Sequence, residues 1–527
     1  MKKISFILFC SLVLLTSCKK KDTFWQTDLS APIVNDTLDL SKLTTDSILV
    51  GNGSGFLDLD FTKTLIDFGL SDIVSIPDTE VVQTFHPNFT LNVPPGFDVF
   101  NQIEQYSINI PNVQLKNIRV FGGKIKLKVY NPIATGVTFD VYLPGVEKNN
   151  VPFHETFTVG AGDNAAPAVV EAELNLAGYE MDLRGTNGIL FNTLQSQVVA
   201  KTDVNGPTVS VSPSNVFKVE ANLSDISVDY ARGYFGQQVF SDTSSLNLSY
   251  LNQIASGSLD LNAIQLNVTV SNGLKVPLKS KLTLVQNANA NGTSVNLSAP
   301  CIGQELFLSP ATGTWNNLQS ATQQVNINSG NSNIEQVVEN LGSDLKVGYV
   351  VELNPLGNVN AGWDEVFSTS RVKVIMHAQM PLQFQADQLT LVDTFQVNLT
   401  QNSSKTHVVG GYFTLDVSNA FPMQSQVKMS FLDASGNMIE EIIGDALILS
   451  ALTGSLNPNG LLVKNSKVNF QATPQLMNHV NDVKFIGIEA ILDTPNSSGT
   501  SNQMVSIPVG AFMHVKLKAH LQTEIVY

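Results

Sequence analysis

The chain has few cysteines, and this shortage restricts how it can be stabilised. Its three cysteines are Cys10, Cys18 and Cys301. Cys10 and Cys18 belong to an N-terminal segment treated below, which leaves Cys301 alone in the rest of the sequence. One cysteine forms no intramolecular disulfide and no cysteine-based metal site. Stability must therefore come from buried apolar surface, which a chain of 527 residues can supply.

Charged residues are also scarce. They make up 14% of the sequence, against about 25% in a typical globular protein. The formal net charge of −15 and the pI near 4.9 argue against binding to nucleic acid and against adsorption to an anionic lipid surface. Uncharged polar residues fill the gap, and this composition fits an envelope or extracellular β protein.

Metal-binding and nucleotide-binding motifs are missing or weak. None of the seven histidines belongs to a His-x-x-x-His pair, and His514 and His520 are expected on a solvated strand face. The stretch from Gly160 to Ala165 matches a dinucleotide fingerprint, but Pro167 and the flanking β pattern predict a plain hairpin loop. The sequence predicts no metal site and no cofactor.

Acidic pairs are the remaining catalytic candidates. Asp58 with Asp60, or Glu440 with Glu441, could serve a glycosidase only if they faced a partner across a cleft. Isolated carboxylates in an acidic chain are usually solvated. We therefore predict no catalytic residue and a protein that is not an enzyme.

Residues 1–17 have the layout of a secretory signal. Lys2 and Lys3 precede an apolar run that is too short to span a bilayer of roughly 30 Å. The order Leu15-Thr16-Ser17-Cys18 resembles the lipobox of bacterial lipoproteins. The resemblance implies cleavage before Cys18 and acylation of its thiol and its new amino group. Several acyl chains, at about 0.8 kcal/mol per buried methylene, make a durable anchor.

The residues after Cys18 bear on location. Lys19-Lys20-Lys21-Asp22 lacks an aspartate directly after the cysteine, which under the sorting rule of enteric bacteria argues against retention at the inner membrane. A lysine followed by an acidic residue resembles the surface-export tether of Bacteroidota lipoproteins, and the whole chain is similar in style to their large β-rich lipoproteins. We expect an outer-membrane lipoprotein, with the cell surface slightly favoured over the periplasmic face.

From about Ser107 onward the dominant pattern is alternation with a period of two. Ile125, Leu127 and Val129 alternate with lysines, and the run from Val137 to Leu143 behaves in the same way. Such alternation predicts strands with one buried and one solvated face. The chain is therefore expected to be mainly β with few short helices.

The alternation recurs in a larger unit. Val-x-Asn ends an amphipathic strand at Asn131, Asn272 and Asn419, at intervals of roughly one domain length. A second amphipathic strand follows each asparagine. An asparagine at a strand corner bonds to its own turn, so we interpret these residues as structural. The order strand–Asn131-Pro132–Ile133–strand resembles the β-sandwich of the water-stress and hypersensitive-response domain of late-embryogenesis-abundant proteins, a noncatalytic family associated with stress protection.

These patterns predict about three tandem β-sandwich-like domains. The expected segments are a signal peptide (1–17), a lipidated tether (18–50), an irregular segment (51–105) with a short helix from Phe61 to Leu70, and β domains at 106–250, 251–400 and 401–527.

The leading functional expectation is a noncatalytic structural, adhesive or binding component of the cell envelope, held to the membrane by its lipid. One alternative is a carrier of lipid or another apolar ligand, motivated by the apolar stretches Val347–Val351 and Ala446–Leu452. Strands buried on both faces of a sandwich core explain such stretches more simply. A further alternative is a glycan-binding surface lipoprotein, with Trp315 and Trp363 as sugar platforms.

The densest aromatic cluster runs from Tyr230 to Phe235, beside Asp229 and with Arg232 among the rings. An arginine among aromatics can form a lip for a sugar or a lipid head group, but it more commonly marks a packed corner between domains. Ligand-binding residues are otherwise unassigned, and the partner could be a lipid, a glycan or an envelope protein.

Overall fold

The computed structural model describes residues 24–39, 49–247, 254–289, 291–397, 406–496 and 501–526. Cys18 lies outside these ranges, so its lipidation stays a sequence prediction. The described helices are short, and they are α1 (Leu70–Ile73), α2 (Ile334–Glu339), α3 (Pro474–Asn478) and a 3-10 turn (Ala451–Thr453). Strands form most of the rest, which confirms the expected mainly β class.

The strands are numbered in chain order. The first six are β1 (Phe24–Asp39), β2 (Leu49–Gly51), β3 (Leu57–Gly69), β4 (Thr79–Phe85), β5 (Leu91–Val93) and β6 (Asp98–Ser107). The next eight are β7 (Gln114–Asn131), β8 (Val137–Lys148), β9 (Val151–Val159), β10 (Ala168–Asn175), β11 (Glu180–Asp182), β12 (Thr193–Thr202), β13 (Val209–Val211) and β14 (Phe217–Tyr234).

The second half of the chain continues in the same manner. The next twelve strands are β15 (Gln238–Asn247), β16 (Ile254–Leu261), β17 (Gln265–Asn272), β18 (Leu278–Ala288), β19 (Ser294–Asn296), β20 (Glu305–Leu308), β21 (Thr312–Thr314), β22 (Asn317–Gln319), β23 (Ala321–Asn328), β24 (Asp344–Leu353), β25 (Asp364–Phe367) and β26 (Arg371–Pro381). The last are β27 (Gln383–Gln396), β28 (Thr406–Asn419), β29 (Gln424–Leu432), β30 (Met438–Ile443), β31 (Ser455–Leu456), β32 (Leu462–Gln471), β33 (Phe485–Asp493), β34 (Val505–Ser506) and β35 (Phe512–Val526).

The strands pair into three similar sandwiches. The first sandwich has the orders β10-β7-β14-β4 and β9-β8-β12-β6, with β11 bridging β7 and β8. The second has β23-β17-β26-β3-β2 and β19-β18-β24-β15, with β20 also on β18. The third has β31-β32-β28-β35-β1 and β30-β29-β33-β27-β16. Sheet membership does not by itself set domain limits, so the predicted boundaries stay predictions.

The predicted alternation is present in the paired sheets. Ile125, Leu127 and Val129 are fully buried, while Lys124 and Lys126 face solvent. One apolar cluster runs through the first and second sandwiches, and a separate one fills the third. Burial of alternate residues on facing sheets is the main stabilising contribution of a sandwich.

In each sandwich the chain crosses from one sheet to the other at the recurring asparagine. The Asn131 side chain is fully buried, and its Nδ2 donates to the carbonyls of Thr135 and Gly160 at 2.7 Å. Its Oδ1 accepts from the backbone N–H of Ile133. The same bonds recur in the other sandwiches, where the partners are Val276, Ser309 and Leu274 for Asn272, and Met423, Leu449 and Phe421 for Asn419. The structural interpretation of the three asparagines is confirmed.

The loop from Gly160 to Ala165 packs against the first of these corners. It joins β9, which pairs with β8, to β10, which pairs with β7 in the facing sheet. The expected loop between two strands is therefore present, but the prediction that these strands form a hairpin is wrong. A Cβ added to Gly162 would lie 2.3 Å from the carbonyl oxygen of Asn131. The glycine is needed for this close backbone approach, and no nucleotide is needed to explain it.

The N-terminal region differs from the sequence expectation. The predicted helix over Phe61–Leu70 is wrong, because all of these residues except Leu70 lie in β3, and Leu70 is the first residue of the single helical turn α1. The segments expected to be a tether and irregular structure contain β1 to β6. We use the name N-terminal ribbon for β1, β3 and β4, which pair with β35 of the third sandwich, β26 of the second and β14 of the first.

The N-terminal ribbon shows the order of the sandwiches along the molecule. Phe24 is opposite Val526, whereas Asp39 is opposite Phe512, next to the Asn419 corner. β3 then runs from the third-sandwich side of β26 to its Asn272 end, and β4 ends at the Asn131 end of the first sandwich. We call the end of the third sandwich that lies away from the Asn419 corner its base. The first described strand begins at this base, and the N-terminal ribbon then passes the third, second and first sandwiches in that order.

Candidate functional site

The first and second sandwiches meet at the aromatic cluster singled out in the sequence. Strand β25, from the chain of the second sandwich, pairs with the end of β14, so that Tyr230 lies opposite Phe367 and Arg232 opposite Glu365. The Tyr230 and Phe367 rings stack with their centroids 5.5 Å apart. The favoured interpretation of this stretch as a packed corner agrees with this geometry.

Glu365 is the charged centre of the corner. It accepts hydrogen bonds from the Tyr230 hydroxyl at 2.8 Å, from Arg232, and from the Lys275 ammonium at 2.5 Å. Burial opposes the charged form, but the bonds from Lys275, Arg232 and Tyr230 outweigh it and lower the pKa of Glu365 to about 2. Burial, followed by the bond to Glu365, raises the pKa of Tyr230. Glu365 is therefore a carboxylate at any physiological pH, and its charge is already used.

Trp315 joins the corner from the other side. It lies in the tight turn between β21 and β22, 5.1 Å from the Phe367 ring, with the Arg119 guanidinium 4.0 Å from its own ring centroid. Arg119 also makes a bidentate pair with Asp229 at 2.8 and 2.9 Å. An arginine that is stacked and paired in this way is held in one orientation.

Trp363, like Trp315, has a cation over its ring and lies at the same corner. The Lys116 ammonium sits 3.8 Å from its ring centroid and donates to the carbonyl of Ala361 at 2.9 Å. Burial, then the charges of Arg184 and Arg232, lower the pKa of Lys116. Trp363 remains 51% exposed, but Lys116 covers part of its ring. We call Arg119, Tyr230, Arg232, Trp315, Trp363 and Glu365 the junction cluster.

The structure thus brings together residues that the sequence presented as separate candidates. Trp315 and Trp363, proposed as sugar platforms, both belong to the junction cluster and both have cations over their rings. These contacts bind the second sandwich to the first. Trp363 nevertheless keeps 51% of its surface exposed.

A cleft of about 460 Å³ adjoins the junction cluster on the outer face of the first sandwich. We call it the Phe121 cleft, and its lining comes from β7, the β8–β9 hairpin, the β10–β11 connection, β11 and β14. The lining residues are Arg119, Val120, Phe121, Glu147, Asn149, Asn150, Gly178, Glu180 and Asp229. Phe121 is 71% exposed. Sequence reasoning missed this site, although the Asn149-Asn150 pair between two alternating strands is a visible turn signal.

The other sequence candidates do not converge on a site. Asp58 accepts from Asn52 at 2.8 Å, whereas Asp60 contacts His377 at 2.9 Å. Glu440 accepts from the hydroxyl of Thr473, and the adjacent Glu441 is exposed.

The two C-terminal histidines are partly buried rather than fully solvated. His514 contacts the Thr37 hydroxyl at 2.8 Å, and His520 stacks on Tyr412 with centroids 4.5 Å apart. Over the described ranges, no three His, Cys, Asp or Glu side chains are grouped to hold a metal ion.

The two apolar stretches behind the lipid-carrier hypothesis have different environments. Val347–Val351 lies in β24, between β15 and β18, and is largely buried as a core strand. Ala446–Leu452 is not a strand: it runs through a connection into the 3-10 turn and exposes Leu447, Leu449 and Leu452. Two interior cavities, one beside Val351 and one beside Val141, measure about 20 Å³ each. That space accommodates about one water molecule, not an acyl chain.

Comparisons with known proteins identify no family. No protein-family model matches the chain, and no curated protein matches it. A crystal structure at 2.00 Å of a protein from Parabacteroides distasonis ATCC 8503, provisionally described as secreted, aligns with 54% of this chain and 88% of its own, at 10% identity and a TM-score of 0.26. Such a TM-score is too low to indicate a common fold. Within the described residues, no helix has the length and apolar character needed to cross a membrane.

Proposed function

We propose that this protein is a noncatalytic lipoprotein of the outer membrane, anchored through Cys18, that presents a binding surface on its tandem sandwiches. The course of the N-terminal ribbon is the observation that carries this proposal. Only a few residues separate Cys18 from Phe24, and Phe24 pairs with Val526 at the base of the third sandwich. An anchor at Cys18 would leave the first sandwich, with its cleft, farthest from the membrane.

Two carboxyl groups with raised pKa values lie away from the Phe121 cleft. The carboxyl groups of Asp364 and Glu339 have pKa values raised by burial, as an acid catalyst would need. Asp364 is only 3% exposed and accepts from Asn360 at 2.6 Å, and neither carboxyl lines the Phe121 cleft. In the cleft itself, Asp229 is engaged by Arg119. We infer a structural, adhesive or binding role for the protein, displayed at the cell surface rather than on the periplasmic face.

The anchor is tested by Cys18→Ala. Cells of the source bacterium expressing the wild type are expected to incorporate labelled palmitate into the protein and to retain it in the outer-membrane fraction. Cys18→Ala should abolish the label and release the protein, because the acyl chains supply most of the membrane affinity.

Cys301→Ala is the matched control, since Cys301 is partly buried in the second sandwich and should not be lipidated. Palmitate incorporation in the Cys18→Ala variant, or its continued membrane retention, would refute the anchor. Protease treatment of intact cells would then distinguish surface display, in which the protein is cleaved, from the periplasmic face, in which it is protected.

A further inference from the structure

We propose that the Phe121 cleft binds a neutral pyranose sugar of a glycan. The proposal rests on the binding role inferred above and names the class of ligand. The volume of about 460 Å³ lies within the range of small-molecule sites, which is roughly 300–1,000 Å³. The cleft lies on the outer face of a strand pair and is open to solvent, so one unit of a longer glycan could enter it without the chain being threaded.

Phe121 supplies the apolar surface of the cleft. It follows Arg119 by two positions in β7 and lines the cleft together with it, at a point where the register between β7 and β14 shifts. Because 71% of the Phe121 side chain is exposed, its packing in the fold contributes little stabilisation. An exposed flat ring beside polar groups suits the C–H face of a pyranose, which is apolar while its edge carries hydroxyls.

The polar residues of the cleft match the hydroxyl edge. The side chains of Asn149 and Asn150 make no hydrogen bond to any residue that the structure describes, and each amide offers both donors and acceptors. Glu147 and Glu180 offer acceptors only. A sugar hydroxyl donates once and accepts as well, so neighbouring hydroxyls can use a carboxylate and an amide together.

The asparagine pair is also held in place. Asn149 and Asn150 have φ values of 52° and 62°, and they join β8 to β9 through the pairing of Lys148 with Val151. Two successive left-handed residues form the type I′ turn of a tight hairpin. The amides therefore belong to a pre-formed turn, so less conformational entropy is lost when they bind a ligand.

Charge decides between classes of sugar. Arg119 makes a bidentate pair with Asp229 and also lies opposite Glu180, whose charge it attracts. The lining therefore carries one positive group against the three carboxylates of Glu147, Glu180 and Asp229, which leaves it with an excess of two negative charges. This excess disfavours uronic and sialic acids by like-charge repulsion. A cationic ligand without hydroxyl groups would match the charge but leave the donors and acceptors of the asparagines unmatched. Among hydroxyl-bearing ligands we commit to neutral sugars, and a cationic amino sugar is the competing class in the test below.

The test uses the protein from Lys19 onward, which contains every described residue. Isothermal titration would measure binding to neutral probes (maltohexaose, cellohexaose, mannohexaose and tetra-N-acetylchitotetraose), to anionic tetragalacturonate and to cationic chitosan tetramer. We expect at least one neutral probe to bind, and Phe121→Ala to weaken that binding by about tenfold or more. Phe89→Ala is the matched control, because Phe89 is also an exposed phenylalanine of the first sandwich, at 68%, but does not line the cleft.

Glu180→Gln tests the polar side of the cleft and should also weaken the binding of the neutral probe. Phe89→Ala should leave the affinity for this probe unchanged. The proposal is overturned if no neutral probe binds, if a charged probe binds more tightly than all neutral ones, or if Phe121→Ala binds like the wild type. Because the soluble protein is used, a failure of sugar binding leaves the Cys18 anchor standing. Loss of the anchor in the palmitate experiment would equally leave a measured sugar affinity intact.

Discussion

The buried asparagine corners allow a sharp test of what holds each sandwich together. In the third sandwich, Asn419 donates to the carbonyls of Met423 and Leu449 and accepts from the N–H of Phe421, all at 2.9 Å. Asn419→Ala removes these three bonds and leaves two carbonyls and one N–H without partners. At about 1 kcal/mol or more for each unsatisfied group, the variant should lose at least about 3 kcal/mol of unfolding free energy.

This loss is large enough to measure by calorimetry. For a unit of this size, about 2–4 °C per kcal/mol places the expected fall in Tm of the third sandwich at about 6–12 °C. Urea unfolding should give a lower midpoint with an unchanged m-value, since the native fold is retained. Asn459→Ala is the matched control, because Asn459 is an exposed asparagine in a turn of the same sandwich. If the two variants unfold within about 1 °C of each other, the side-chain bonds do not stabilise the corner and the reasoning fails.

Two further predictions concern the first and second sandwiches. The pKa of Glu365 is lowered from 4.5 to about 2, so its contribution to the unfolding free energy is complete above about pH 4.5 and is lost as the pH falls towards 2, by about 3 kcal/mol in total. Measurements of unfolding at decreasing pH should show this loss in the wild type and not in Glu365→Gln. Equal acid sensitivity of the two proteins would contradict the prediction. Gly162→Ala should cost about 1–3 kcal/mol, because its Cβ would meet the Asn131 carbonyl oxygen at 2.3 Å. Gly160→Ala, with open space at its Cβ, should be nearly neutral in the same urea titration, and a reversed order would refute the close-packing argument.

The strands with two clearly different faces could be derived from the sequence alone. Ile125 and Val129 alternate with lysines, and a period of two places such residues on opposite faces whatever the neighbouring strands are. The role of Asn131 was also accessible, because its first partners are two and four residues away. Both features depend on contacts that are close along the chain or on the geometry of a single strand.

The N-terminal ribbon could not be derived in this way. β3 lies near the edge of its sheet, and buried and exposed residues do not alternate regularly along it. The residues around Phe61 therefore resembled a helix as much as a strand. Its partner is β26, some three hundred residues further along the chain. A strand of this kind is specified by the free edge that it joins, and a sequence window contains no information about that edge.

The junction cluster and the Phe121 cleft depend on the same kind of long-range contact. Trp315 was visible as an aromatic residue, but its partners Arg119 and Phe367 come from distant strands. The cleft needed the β8–β9 hairpin to fold beside Phe121.

The β class, the repeat of strand pairs and the corner asparagines are accessible from the sequence, because they follow from side-chain alternation and short-range hydrogen bonds. The edges that the N-terminal strands cover, the cations that lie on the tryptophans and the position of the cleft emerge only in the folded chain. Those outcomes depend on pairing between segments far apart in the chain, where many edges compete and the packing of the whole fold selects one.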